Sequence, residues 1–138
     1  MRQAVYRFST ATNRRGLYEV THEVVDWIGK QGIETGLLTV FCRHTSASLV
    51  IQENADPTVR VDLERFFERI APEGAGYAHD CEGPDDMPAH LRTALTQTSL
   101  AIPVGDGRML LGTWQGIYLF EHRSRPHRRE IVLHLLGT

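Results

Sequence analysis

The sequence predicts an α+β domain in which strands outnumber helices. Three observations carry that reading: an alternating first segment, one well-capped amphipathic stretch in the middle, and a tail of short apolar runs separated by turn residues. Strictly alternating strands and helices, the mark of a doubly wound parallel sheet, are absent.

Taken in order, "RQAVYRFST" alternates apolar and polar residues and reads as a strand. Thr21 is placed to cap a short helix through "HEVVDWIGKQG", which Gly32 stops. "LLTVFCRH" and "ASLVIQE" are β-branched and apolar and read as two further strands. Asp56 followed by Pro57 opens the clearest helix, because a carboxylate can accept the orphan N–H groups of the first turn and proline suits the first helical position. Val59, Leu63, Phe66, Phe67 and Ile70 recur at helical spacing and predict one buried stripe, ended by Pro72 and Gly74. A further helix starts near Asp86, with Leu91, Ala94 and Leu95 expected inward. "SLAIPV", the turn Gly105-Asp106-Gly107, "RMLLG", "GIYLFEHR" and "EIVLHLLG" then have the rhythm of a β-meander.

The bulk properties narrow the field. A chain of 138 residues reads as a single domain spanning 1–138, long enough to bury a core without staples. A formal net charge of −2 gives no reason to expect a nucleic-acid or anionic-membrane partner, and the basic run "HRSRPHRRE" reads as a solvated loop. Cys42 and Cys81 without an apolar leader point to a soluble protein of the reducing cytoplasm rather than to a disulfide scaffold. No Walker loop, G-x-G-x-x-G, G-x-S-x-G or Cys-x-x-Cys occurs, which argues against P-loop, dinucleotide-binding and α/β-hydrolase chemistry.

Three stretches can carry chemistry. In "RHTSASLVIQENAD", His44 leaves a strand into hydroxyl residues, and Glu53 and Asn54 precede the helix at Asp56. His44 reads equally well as a cleft residue or as a hydrogen-bonded core histidine. In "YAHDCEGPDDMPAHLRTALTQ", Asp86 and His90 are four apart and share a helix face, with His79 across a glycine-proline loop. Two neutral histidines beside a carboxylate form a set that zinc or a similar divalent ion accepts, although the spacing matches no standard zinc signature. In "GTWQGIYLFEHR", strand alternation puts Gln115, Ile117, Leu119, Glu121 and Arg123 on one face and Trp114, Tyr118, Phe120 and His122 on the other. Glu121 and Arg123 read either as a plain surface pair or as a general base with a cation for phosphate.

Together "HTSASLVIQENADPTVRVDLERFF", "EGPDDMPAHLRTALTQTSLAIPVGDGRMLLGTWQGIYLFEHR" and "RREIVLHLLG" resemble the YjbQ family over nearly the whole chain. The resemblance implies a central β-sandwich or barrel-like antiparallel sheet with about three flanking helices, assembled as a homotrimer. It also implies a weak or auxiliary thiamine-phosphate synthase activity, a transferase coupling a pyrimidinylmethyl pyrophosphate with a thiazole phosphate. The family pattern falls on His44, Glu53, Asn54, His79, Asp86, His90, Trp114, Gln115 and Glu121. On it, His44, His79 and His90 are the expected ligands of a divalent ion, zinc or magnesium, and Glu53, Asp86 and Glu121 the expected catalytic groups. Asn54, Arg108, Trp114, Gln115 and Arg123 are expected to meet a phosphorylated or heteroaromatic small molecule. His122 fits the pattern less well. Three other functions use the same residues: a metabolite-binding module, a trimer stapled by metal, and a metal-assisted phosphate-ester hydrolase.

Overall fold

A computed structural model describes residues 1–138. Its elements are β1 (Arg2–Thr12), β2 (Gly16–Glu19), α1 (Thr21–Gly29), β3 (Gly36–Cys42), β4 (Ala47–Glu53), α2 (Pro57–Ile70), α3 (Asp86–Leu95), β5 (Ser99–Gly105), β6 (Arg108–Met109), β7 (Gln115–Glu121) and β8 (His127–Gly137). A five-stranded antiparallel sheet, ordered β1-β8-β3-β5-β6, faces a three-stranded sheet ordered β2-β7-β4. The fold is thus α+β, one domain with two sheets and three helices.

Alternation builds the core. Leu38 and Val40 of β3, Ile131, Leu133 and Leu135 of β8, and Ile102 of β5 point inward from the larger sheet. Leu49, Ile117 and Leu119 meet them from the smaller one. Val24 and Ile28, four apart on α1, close one end of the same cluster.

β7 departs from simple alternation. Every residue from Gly116 to His122 is buried, because both faces of this strand are covered. Ile117 and Leu119 enter the core, while Tyr118 and Phe120 turn outward against α2. Phe67 meets Phe120 edge-on at 5.4 Å, and the Arg60 guanidinium carbon sits 5.1 Å from the centre of the Tyr118 ring.

Four local expectations need correction. Thr21 does not cap α1 through its side chain; its hydroxyl donates to Glu19 Oε2 at 2.8 Å and accepts from the Ile117 N–H at 2.9 Å. Asp56 does cap α2, accepting from the Thr58 N–H at 2.9 Å. The apolar stripe of α2 is narrower than its spacing predicts, however, because the helix rests on β7 along a line, burying Phe67 and leaving Phe66 and Ile70 exposed. On α3 the expected inward face is reversed: Leu95 is 61% exposed, while Asp86, Ala89, Arg92 and Thr93 are buried. Finally, the tail is not a meander, since β7 crosses to the second sheet and β8 returns between β1 and β3.

Candidate metal centre

The reversal of α3 has a local cause. Asp85 and Asp86 stand where the chain turns into the helix, and both reach toward Arg123 at the end of β7. Arg123 Nε donates to Asp85 Oδ2 at 2.9 Å, Nη1 to Asp86 Oδ1 at 2.7 Å, and Nη2 to the Glu82 carbonyl at 3.0 Å. Ser124 adds its N–H and its hydroxyl to Asp85 Oδ2 at 2.9 and 3.1 Å. Burial pushes the Asp85 carboxyl up, but these donors outweigh it and hold it well below the usual carboxylate range.

Arg123 occupies one oxygen of Asp86 and leaves the other facing two histidines. Asp86 Oδ2 lies 2.6 Å from His79 Nε2 and 3.1 Å from His90 Nε2. One ligand atom from each of His79, Asp86 and His90 lies within 4.8 Å of the others. The Asp86 carboxyl is depressed; burial opposes this, and the His79 contact and the charges of His90 and Arg123 outweigh it.

A backbone carbonyl sets the His90 tautomer. His90 Nδ1 lies 2.9 Å from the oxygen of Thr45, which can only accept, so Nδ1 carries the proton. In the neutral ring Nε2 then presents a lone pair to a carboxylate oxygen. Two acceptors face each other, and the contact is satisfied by a second ring proton or by a cation between them. A histidine fixed through its far nitrogen by a carbonyl is the usual arrangement behind a metal-ligating imidazole. The donor set, two imidazoles and a carboxylate oxygen, suits zinc better than magnesium, which prefers oxygen ligands. The side chains of His79 and His90 are 39% and 33% exposed, so the cluster opens to solvent. Beside it lies a cavity of about 350 Å³ lined by Gly74, Gly76, Tyr77, His79, Gly83 and Met87 among others.

The other expected residues lie elsewhere in the chain. His44 Nε2 accepts the Glu130 N–H at 2.8 Å, and burial together with the charge of Arg129 lowers its basicity. It neighbours Thr45 but is outside the three-ligand group. Glu121 is fully buried: Thr12 Oγ1 and Arg129 Nε donate to its Oε1 at 2.6 and 2.8 Å. Arg129 Nη2 and the N–H groups of His122 and Arg123 donate to Oε2. Glu121 therefore orients the backbone that aims Arg123 at the aspartates.

Glu53, Asn54, Trp114 and Gln115 gather at the opposite end of the β4–β7 pair. Glu53 is paired with Gln115 and Ala47 with Glu121, which separates the two ends by about 20 Å along the strand. There Glu53 Oε2 accepts the N–H groups of Ala55 and Asp56 at 3.1 and 2.8 Å, Asn54 N–H donates to the Trp114 carbonyl at 3.0 Å, and the Trp114 ring is exposed. Arg108 is exposed on β6, part of the other sheet. His122 is buried, with Nε2 2.8 Å from Ser48 Oγ and Nδ1 without a partner. Burial, with the charges of Arg92 and Arg129, pushes its pKa down to about 3.

The sequence places Asp85 in the acidic stretch between His79 and His90 but assigns no role to it, to Ser124 or to the Thr45 carbonyl. The adjacent aspartates before a helix were a signal for the first. A backbone carbonyl leaves no trace in a sequence.

Two sheets packed face to face, with a histidine–carboxylate cluster where a helix meets the end of a buried strand, define the class. The chain belongs to the YjbQ (UPF0047) family: the family model described as UPF0047 protein YjbQ-like matches residues 6–138. A UPF0047 protein of Synechocystis is 54% identical over 128 residues, covering 92% of this chain and 87% of the relative. The YjbQ protein of Salmonella typhimurium is 49% identical over 124 residues, covering 89% and 90%. The crystal structure of a hypothetical protein from Aeropyrum pernix K1 superposes with a TM-score of 0.86 at 30% identity, covering 100% of both chains.

Proposed function

We propose that His79, Asp86 and His90 hold a divalent cation, zinc by the chemistry of the donors, and that the centre acts on a phosphorylated or heteroaromatic small molecule. The observation that carries this is the convergence of one ligand atom each from His79, Asp86 and His90 within 4.8 Å, with the His90 ring held by the Thr45 carbonyl so that Nε2 faces Asp86. Three protein ligands and an open side are the pattern of a catalytic rather than a closed structural site. When bound, such an ion supplies a Lewis acid for phosphate or pyrophosphate oxygen.

The residues of this chain do the positioning. Arg123 holds Asp86 by one oxygen so that the other faces the histidines, and Glu121 holds the Arg123 backbone. The cavity beside His79 gives room for a small substrate. Within the family reading, the reaction is a thiamine-phosphate synthase-type transfer: the thiazole nitrogen bonds to the pyrimidinylmethyl carbon, the carbon–oxygen bond to pyrophosphate breaks, and the electron pair leaves with pyrophosphate. Metal-assisted ester hydrolysis calls on the same ligands.

We place the protein in the cytoplasm as a homotrimer. Cys42 and Cys81 are both free, which suits a reducing compartment. Val5, Leu37, Phe41 and Leu136 are exposed on the outer face of the larger sheet, an apolar surface suited to a second copy.

The test is the metal content of untagged protein purified without chelator, beside a His90→Ala variant, followed by assay of pyrophosphate release. Stoichiometric zinc in the parent, lost in the variant, supports the centre. No bound ion after incubation with several divalent metals sinks it. Metal without turnover on either substrate class leaves a non-catalytic metal site and overturns the enzymatic part.

A further inference from the structure

A second polar cavity lies away from the histidine cluster. The tip between β1 and β2 lies against α2 and borders a half-open cavity of about 330 Å³. Arg14, Arg15 and Arg60 line it, together with Tyr18 and Glu64. It shares no residue with the His79–Asp86–His90 group or with the cavity beside it.

The guanidinium groups there are under-used. Arg15 gives one hydrogen bond, from Nη2 to Glu73 Oε1 at 2.9 Å. Arg60 gives one, from Nη2 to the Tyr118 hydroxyl at 3.1 Å. Arg14 stands exposed at the rim. The Nε–H groups of Arg15 and Arg60 are both shielded from solvent and have no acceptor. Those two atoms are shielded from a ligand as well as from water, so the donors left for one are the unpaired, solvent-accessible Nη1 groups of the same two arginines. Forked donors of this kind suit the oxygens of a phosphate.

The balance of charge also favours an anion. Three guanidiniums face one free carboxylate, Glu64, because Glu73 is already paired with Arg15. Burial pushes the Glu64 carboxyl up even with Arg14 and Arg15 close by. Gly16 makes room for it: a Cβ at that position would stand 3.0 Å from Glu64 Oε1. Glu64 is thereby available as an acceptor for a hydroxyl group in the cavity. A bare anion leaves that acceptor unused, whereas a hydroxyl-bearing phosphate monoester uses both halves of the site.

We infer that this cavity binds a hydroxyl-bearing phosphate monoester, with Arg14, Arg15 and Arg60 on the phosphate oxygens and Glu64 accepting from a ligand hydroxyl. The site stands independently of the metal centre. Its test is calorimetric titration of chelator-treated protein with glycerol phosphate and with inorganic phosphate. Glycerol phosphate is expected to bind one site with a dissociation constant of about 1 mM or below. Arg15→Gln and the rim variant Arg14→Gln, each checked for folding by circular dichroism, are expected to weaken it by roughly tenfold. His90→Ala is expected to leave it unchanged. Inorganic phosphate is expected to bind more weakly, and Glu64→Gln to narrow the gap. No saturable heat, or binding that survives both arginine variants and disappears in His90→Ala, overturns the site. Equal affinity for the two probes overturns the role of Glu64.

Discussion

The Nε2 atom of His90 stands 3.1 Å from Oδ2 of Asp86, one helical turn earlier, while its other nitrogen is committed to a carbonyl on a different element. The ring is thus fixed at both ends by groups that only accept. Replacing His90 by asparagine, which cannot span both contacts, is expected to abolish stoichiometric metal binding. The check is metal content by mass spectrometry after dialysis against zinc. Retention of a full equivalent would show that His90 is not a ligand.

Arg123 satisfies both aspartates at the start of α3. Arg123→Gln removes their counter-charge while leaving Asp85 and Asp86 buried, and is expected to cost on the order of 3 kcal/mol. Urea denaturation measures this directly. Metal affinity is expected to fall alongside, since Asp86 is no longer held by one oxygen.

Glu121 and Arg129 form a buried ion pair, and breaking it from one side strands a charge. Glu121→Gln is expected to destabilise the fold by about 3 kcal/mol, and Arg129→Met in the same background to recover part of that. A Glu121→Gln variant of full stability but without turnover would instead mark Glu121 as a chemical participant.

His122 makes stability depend on pH. Its folded pKa of about 3 lies below the ordinary value of 6.5, so the unfolded chain takes up a proton that the folded chain refuses. Stability is unaffected above 6.5 and falls as the pH drops from there toward 3, by up to about 1.4 kcal/mol per pH unit. His44 is shifted the same way and adds to the slope. His122→Gln keeps a polar group toward Ser48 but has no proton to take up, and is expected to flatten the slope without removing it. An unchanged slope in a folded variant would place the effect elsewhere.

Asp56→Ala removes the acceptor that caps α2 and is expected to lower the thermal midpoint by a few degrees.

How much of this was legible beforehand depended on whether the signal was local. The β1 strand and the Asp56–Pro57 helix start were readable because alternation and capping act within a few residues. The convergence of Asp86 and His90 was readable for the same reason, since four residues make one helical turn. What stayed hidden were relations between distant segments. Leu95 faces out because Arg123, from another element, draws Asp85 and Asp86 inward and turns the helix with them. The burial of Glu121 depends on Thr12 and Arg129 from two other strands, so its pattern on β7 alone read equally as a surface position. The distance between the Trp114–Gln115 end and the histidine end is set by the β4–β7 register, which no motif encodes.

The place of β8 in the larger sheet has a consequence for how the chain is made. This strand lies between β1 and β3 and pairs Arg2 with Gly137 and Thr12 with His127. A ribosome releases β1 and β3 early, yet their shared neighbour is the last of the eight strands to be made. Until residues 127–137 emerge, β1 has no partner in that sheet and β3 has one open edge. The larger sheet therefore closes only once residues 127–137 are available to both strands. In the interval those strands present unpaired edges, the situation that chaperones cover.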